Sequence, residues 1–231
     1  KSFIAVTSDK CYENTNKNSG YSETDKLGGL DPYSASKAAT ELVVKSYYKS
    51  FFEGKIKCGI SSVRAGNVIG GGDWSKNRLI PDCFRSLLNN KKIFLRNPGY
   101  TRPWQHVLEP LKGYLILAKK QYETPYKFSG AWNFGSNPNS IVSVKKLTEL
   151  IIEFWGSGKI VSKKNKFKEQ KFLQIRSEKS KNQLNWKPKY NIKKSVKVTS
   201  DWYFSVEKNK IDPMTITNKQ IKEYMVNSKR S

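Results

Sequence analysis

The 231 residues carry 43 Lys and Arg against 19 Asp and Glu, a formal net charge of +24. No apolar run approaches the ~20 residues that a membrane-spanning helix needs, and six Trp, twelve Tyr and eleven Phe supply enough apolar bulk for a core, which excludes wholesale disorder. The lysines are spread along the whole chain instead of concentrating on one segment, so the charge reads as a general residue bias, not as a nucleic-acid footprint, although it would attract a doubly negative small molecule.

Taken in chain order, Phe3–Val6 reads as a short buried strand that runs into Ser8-Asp9-Lys10. Residues 11–31 are polar and Gly-rich and read as a loop. A helix is expected from Tyr33 to Phe52, with Ala38, Leu42, Val43 and Tyr47 at the helical period and Gly54 as its stop. Cys58–Val63 reads as a second strand, followed by a Gly-rich loop over 66–72. Next come a helix over 78–88, a strand over 93–95, a short strand over 104–107 and a helix over 110–120 with Pro110 in its tolerated first turn. Trp132–Phe134 reads as a strand, Ser143 as the cap of a helix ending at Phe154, and 192–206 as a late helix. Residues 156–170 form a Lys-rich stretch and a weak boundary. Alternating strands and helices indicate an α/β fold with a parallel sheet.

Tyr33 and Lys37 are four residues apart and share one helix face. An ammonium beside a phenol favours the phenolate, so the pair is able to take a proton from a sugar hydroxyl. Ser8, Asp9 and Lys10 follow a strand, and ligands of open α/β sheets bind at the carboxyl ends of strands. There Ser8 would hydrogen-bond an oxygen, Asp9 would serve as an acid if its pKa were raised, and Lys10 as a base if burial depressed its own. The alternative for each motif is plain: helix-surface residues for the pair, and a turn with solvated charges for the triplet. His106, the single histidine, reads first as a structural residue, and Trp132, Trp155, Trp186 and Trp202 as core or interface. Cys11, Cys58 and Cys83 lack metal-binding spacing and read as reduced thiols of a cytoplasmic protein; no metal site is expected.

Val6-Thr7-Ser8-Asp9-Lys10-Cys11-Tyr12 followed by Asp31-Pro32-Tyr33-Ser34-Ala35-Ser36-Lys37 resembles the extended short-chain dehydrogenase/reductases, and within them the CDP-glucose 4,6-dehydratases. Residues 64–74 (Arg-Ala-Gly-Asn-Val-Ile-Gly-Gly-Gly-Asp-Trp), Arg78–Asp82, Arg96–Pro98, Arg102–Pro110 and Leu184–Pro188 carry the same resemblance over nearly the whole chain. It implies an NAD-dependent lyase. Tyr33 would take the proton of the sugar 4-hydroxyl, Lys37 would hold the nicotinamide ribose and tune Tyr33, and Ser8 would bond the 4-oxygen. Lys10 would remove the C5 proton and Asp9 would protonate the departing 6-hydroxyl, giving a 4-keto-6-deoxy sugar. Relatives acting on dTDP-glucose typically carry Asp-Glu where this chain has Asp9-Lys10, which favours CDP-glucose as substrate. Asn67, Arg78 and Arg102 are implied pyrophosphate and nucleotide contacts, with Asp73, Trp74 and Trp104 shaping the sugar-nucleotide pocket. Arg176 stands where the family usually has Asp.

The resemblance further implies a partial Rossmann-like parallel sheet with its N-terminal half missing, plus a smaller α/β substrate-binding domain. The family's Gly-x-x-Gly-x-x-Gly turn is expected upstream of Lys1, so the isolated chain is expected to bind NAD poorly and to be inactive. The expected division is 1–70 with 105–135, then 71–104 with 136–206, then a charged tail over 207–231. A homodimer through two helices per subunit is implied, the Tyr33–Phe52 helix being one of them. The rival readings are a nucleotide-sugar epimerase of the same family and a non-catalytic basic module that binds nucleic acid.

Overall fold

A computed structural model describes residues 1–162 and 173–226. In chain order its elements are β1 (Ser2–Val6), α1 (Pro32–Tyr47, continued by a π turn over Tyr48–Phe52), β2 (Gly59–Arg64), β3 (Val68–Ile69), α2 (Leu79–Leu88), β4 (Ile93–Leu95), β5 (Thr101–Pro103), β6 (Gln105–His106), α3 (Leu108–Glu123), α4 (Pro125–Phe128), β7 (Gly130–Asn133), β8 (Ile141–Ser143), α5 (Val144–Trp155), β9 (Ile160–Ser162), α6 (Glu178–Leu184), α7 (Ile192–Glu207) and α8 (Pro213–Val226). The chain divides into two compact units. The first holds Lys1–Asn67, Glu109–Asn137 and, of the described residues, 173–189; the second holds Val68–Leu108, 138–162 and 190–226.

The first unit is built on a parallel sheet of order β1-β2-β7, with Phe3 opposite Ile60, Val6 opposite Val63 and Arg64 opposite Asn133. Every residue of β2 is buried, as a central strand covered on both faces requires. One core cluster gathers Val63, Leu117, Phe128, Trp132, Phe134, Leu184 and Trp186. Its two indoles are satisfied inside it: Trp132 Nε1 donates to Phe128 O at 3.0 Å and Trp186 Nε1 to Glu109 O at 3.0 Å.

The second unit pairs β3 with β6 and β4 with β9 in parallel, and β5 with β8 antiparallel. Its core packs α2, α5 and α7 around Phe84, which stacks on Tyr203 at 3.9 Å and meets the edge of Trp155 at 5.6 Å. Gly71 is required here, because a β-carbon would collide with the Trp202 ring. Ser143 caps α5 as expected, accepting the Lys146 amide at 3.0 Å.

Several expectations need correction. Segment 173–189 belongs to the first unit, not to the substrate-binding domain. The charged tail holds a helix longer than the short one its sequence suggests: α8 packs on α7, burying Ile216, Gln220 and Tyr224. The strand expected over 104–107 narrows to β6, Gln105–His106, while the Trp104 amide extends the β5–β8 ladder by donating to Ser140 O at 3.1 Å. The last residues of the Lys-rich stretch, from 163, lie outside the described residues, but its beginning forms β9. The largest correction concerns α1. Of the apolar residues that follow its helical period only Ala38 is buried; Leu42, Val43 and Tyr47 are 58%, 55% and 59% exposed. The buried positions besides Ala38 are Ser34 and Glu41, so the first turns of α1 dock mainly through polar groups, while Val44 nearer its end packs against Tyr48, Cys58 and Ile60.

Candidate active site

The site of the first unit is assembled at the carboxyl ends of β1 and β2. Backbone bonds tie the two ends together: the Thr7 amide donates to Val63 O at 2.9 Å and the Asp9 amide to Ala65 O at 3.2 Å. Beyond β1 the chain tightens into a 3-10 turn, Asp9–Cys11, capped by Ser8 in extended conformation. Ser8 Oγ accepts the Lys10 amide at 3.3 Å and donates to Asp9 Oδ1 at 3.0 Å. Ser8 and Asp9 are buried, whereas Lys10 is exposed. The burial that a basic amine at Lys10 calls for is therefore not supplied here. Gly66 lies against the Asp9 carboxylate so closely that a β-carbon there would overlap Oδ2.

α1 packs directly on this 3-10 turn. Its start is set by sequence: Asp31 accepts the Ser34 amide at 3.0 Å and the Ser34 hydroxyl at 2.6 Å, and Pro32 fills the first turn. These bonds, first the Ser34 hydroxyl and then its amide, with a smaller contribution from the Lys10 charge, hold the Asp31 carboxyl below its ordinary range. Tyr33 is 51% exposed and Lys37 half-buried. The Lys37 ammonium stands 5.7 Å from the centre of the Tyr33 ring. Among the described residues neither the Tyr33 hydroxyl nor the Lys37 ammonium has a hydrogen-bond or ion-pair partner, so both are available to a ligand. Ser8, Asp9, Lys10, Tyr33 and Lys37 thus fall on two elements packed together. Asn67, half-buried with φ of 44°, follows Gly66 at the end of the same unit.

Beneath these residues lies a buried ion pair to which the sequence reading attached no role. Glu41 accepts from Arg64 Nε at 2.9 Å and Nη2 at 2.7 Å, from Thr7 Oγ1 at 2.5 Å and from Ser62 Oγ at 2.5 Å. Arg64 Nη1 also donates to the Tyr12 hydroxyl at 2.6 Å, which donates in turn to Asn133 Oδ1 at 2.8 Å. Burial pushes the Glu41 carboxyl up, but the Arg64 charge and the hydroxyl donors outweigh it and hold it below its ordinary range. The signal was present in the chain: a glutamate one turn beyond Lys37, and an arginine closing an otherwise uncharged strand.

The remaining candidates belong to the second unit. Asp73 Oδ1 accepts the Ser75 amide at 2.9 Å, and Oδ2 meets Arg78 Nη1 at 3.2 Å in a solvent-exposed pair. Trp74 is 39% exposed and sets its ring edge against Tyr203 at 5.1 Å; Tyr203 donates its hydroxyl to Asp73 O at 2.5 Å. Arg102, half-buried, lies over the Tyr100 ring at 5.6 Å. Trp104 differs from the rest: it is buried in the core cluster with its indole donating to Val142 O at 3.3 Å, a packing residue and not a pocket wall. His106 is buried, accepts the Leu108 amide on Nδ1 at 3.3 Å, leaves Nε2 buried without a hydrogen-bond partner among the described residues, and is pushed down to about 4 by burial. Arg176 is exposed and pairs with Glu178 at 3.5 Å, so it occupies no buried contact. No cluster of metal-ligating residues occurs among the described residues.

A three-stranded parallel sheet with a Tyr-x-x-x-Lys pair on a helix packed against it defines a Rossmann-like α/β protein. The chain belongs to the GDP-mannose 4,6 dehydratase family, whose model matches residues 1–199. It is 38% identical over 231 residues to a CDP-glucose 4,6-dehydratase of Salmonella typhimurium, covering 97% of this chain and 64% of that protein. A solved dTDP-glucose 4,6-dehydratase from Bacillus anthracis in complex with NAD superimposes with a TM-score of 0.74 at 25% identity, covering 89% of this chain and 62% of that one. A UDP-N-acetylglucosamine 4-epimerase from Methanobrevibacter ruminantium reaches a TM-score of 0.72 at 23% identity, over 89% of this chain and 63% of that one, and shares the fold. The chain thus spans a little under two thirds of the relatives it matches.

Proposed function

We propose that this chain carries the acid–base site of an NAD-dependent nucleotide-sugar 4,6-dehydratase acting on CDP-glucose. The observation that carries the reading is the exposed, unpartnered Tyr33–Lys37 pair on a helix packed against the buried Ser8-Asp9 turn. The 38% identity to a CDP-glucose 4,6-dehydratase supports the nucleotide base. A free phenol and a free ammonium side by side fit the hydroxyls of a nicotinamide ribose. NAD, when bound, supplies a reversible hydride acceptor. Tyr33 takes the proton of the sugar 4-hydroxyl. Ser8 turns its hydroxyl from Asp9 to the 4-oxygen, Asp9 protonates the departing 6-hydroxyl, and Lys10 removes the C5 proton once bound substrate covers its exposed amine. Asn67, Arg78 and Arg102 contact the nucleotide and pyrophosphate, and Asp73 and Trp74 the sugar.

A homodimer is part of the proposal. The exposed Leu42, Val43 and Tyr47 of α1, and Leu111, Leu115 and Tyr122 of α3, are the kind of surface that a second copy covers. A purely monomeric sedimentation profile at micromolar concentration would remove that part. Three buried free cysteines fit a cytoplasmic location, and no helix among the described residues is long and apolar enough to cross a membrane.

The test is incubation of the protein purified from its native source, with NAD present, with CDP-glucose and, in parallel, dTDP-glucose. A product lighter by one water from CDP-glucose is expected, with Tyr33→Phe slower by about 10²–10⁴-fold. An isomer of unchanged mass would convert the reading to an epimerase. Salt-sensitive nucleic-acid binding with no effect of Tyr33→Phe would favour the basic-module reading.

A further inference from the structure

α1 presents an inverted face to its own unit. Between Asp31 at its cap and Tyr48 at its end, the buried side chains are Ser34, Ala38 and Glu41. Apolar packing, the usual cement of a helix on a sheet, is thus small along the turns that carry Tyr33 and Lys37. In its place stands the Glu41 carboxylate with four donors. Those donors come from two strands: Thr7 from the end of β1, Ser62 and Arg64 from β2. Glu41 lies one turn beyond Lys37 and about 12 Å along the axis from Tyr33. Thr7 is the residue immediately before Ser8. One buried carboxylate thus spans from the helix that bears the proton-accepting phenol to the residue adjoining the Ser8-Asp9 turn. Charge-assisted bonds of this kind are short and directional, so they set register where apolar contact would permit sliding.

We infer that Glu41 is a positioning residue: with Thr7 and Arg64 it fixes the Tyr33–Lys37 pair of α1 against the Ser8-Asp9 turn. The inference rests on the reaction proposed above for the role of that alignment, but the clamp itself is a property of the fold. Misplacement of a catalytic group by about 1 Å costs on the order of 10²-fold in rate. Loosening the clamp is therefore expected to lower kcat and leave KM nearly unchanged, because Glu41 and Thr7 are both buried beneath the site.

The experiment compares Glu41→Gln, Thr7→Val and Ser62→Ala, each checked for folding by circular dichroism. Thr7→Val serves where Glu41→Gln fails to fold, since it removes one donor and leaves the Arg64–Glu41 pair intact. Amide hydrogen exchange is read over 33–40 and, as reference, over β2 and β7. Faster exchange over 33–40 in Thr7→Val with β2 and β7 still protected is expected, together with a kcat loss of about tenfold or more at constant KM in Glu41→Gln. Ser62→Ala, which leaves the Thr7 link to the turn intact, is expected to change kcat less than Thr7→Val. Folded variants with wild-type exchange over 33–40, or with wild-type kcat, overturn the inference. Absence of dehydratase turnover in the wild-type protein refutes the proposed function instead, and the exchange data then decide the clamp by themselves.

Discussion

His106 offers a sharp test of the energetics of the second unit. Its imidazole is 2% exposed, and burial pushes its pKa down to about 4, from 6.5 for the free side chain. Between these values the unfolded chain binds a proton that the folded chain refuses. Stability is therefore fully present above about pH 6.5 and is lost as the pH falls toward 4, with no further loss from this residue below that. The gap corresponds to about 3 kcal/mol, a sizeable part of the ~5–15 kcal/mol that holds a domain together. His106→Gln removes the titration while retaining an acceptor for the Leu108 amide. Urea denaturation of both proteins, followed by tryptophan fluorescence at several values between about pH 7 and about pH 4, reads the difference. The wild type is expected to lose about 3 kcal/mol more than the variant over that range, while acid effects of the other groups cancel in the comparison. Two curves that stay parallel throughout would refute the assignment of His106 as a buried neutral imidazole.

Asp31→Ala removes the cap that starts α1, both Ser34 bonds included. A loss of about 1 kcal/mol is expected, with faster amide exchange at the first turn of α1, and Asp31→Asn is expected to recover most of it because Asn caps equally well. An unchanged first turn would show that the bonds to Ser34 do not hold the helix start. Phe84→Ala empties a fully buried site between Tyr203 and Trp155 and is expected to cost about 3–5 kcal/mol in chemical denaturation. A cost below about 1 kcal/mol would mean that the second unit closes over the space.

The chain by itself specified the local parts. Asp31-Pro32 opens α1, Ser143 caps α5, and four residues of spacing put Tyr33 and Lys37 on one helix face, because helix starts and helix periodicity are decided by neighbours in sequence. The motif order was legible too, and it led to the family that the model over residues 1–199 defines. Which side of α1 faces inward was not legible. Periodicity points to Ala38, Leu42, Val43 and Tyr47, and the structure buries only the first, because a carboxylate at position 41 meets an arginine 23 residues later on the central strand. That pairing is set by how α1 packs on β2 and by nothing local. Nor did sequence show that Trp104 packs in a core instead of lining a pocket, or that 173–189 joins the first unit while 190–226 joins the second. Burial is decided by contacts between distant segments, and only the folded chain brings those together.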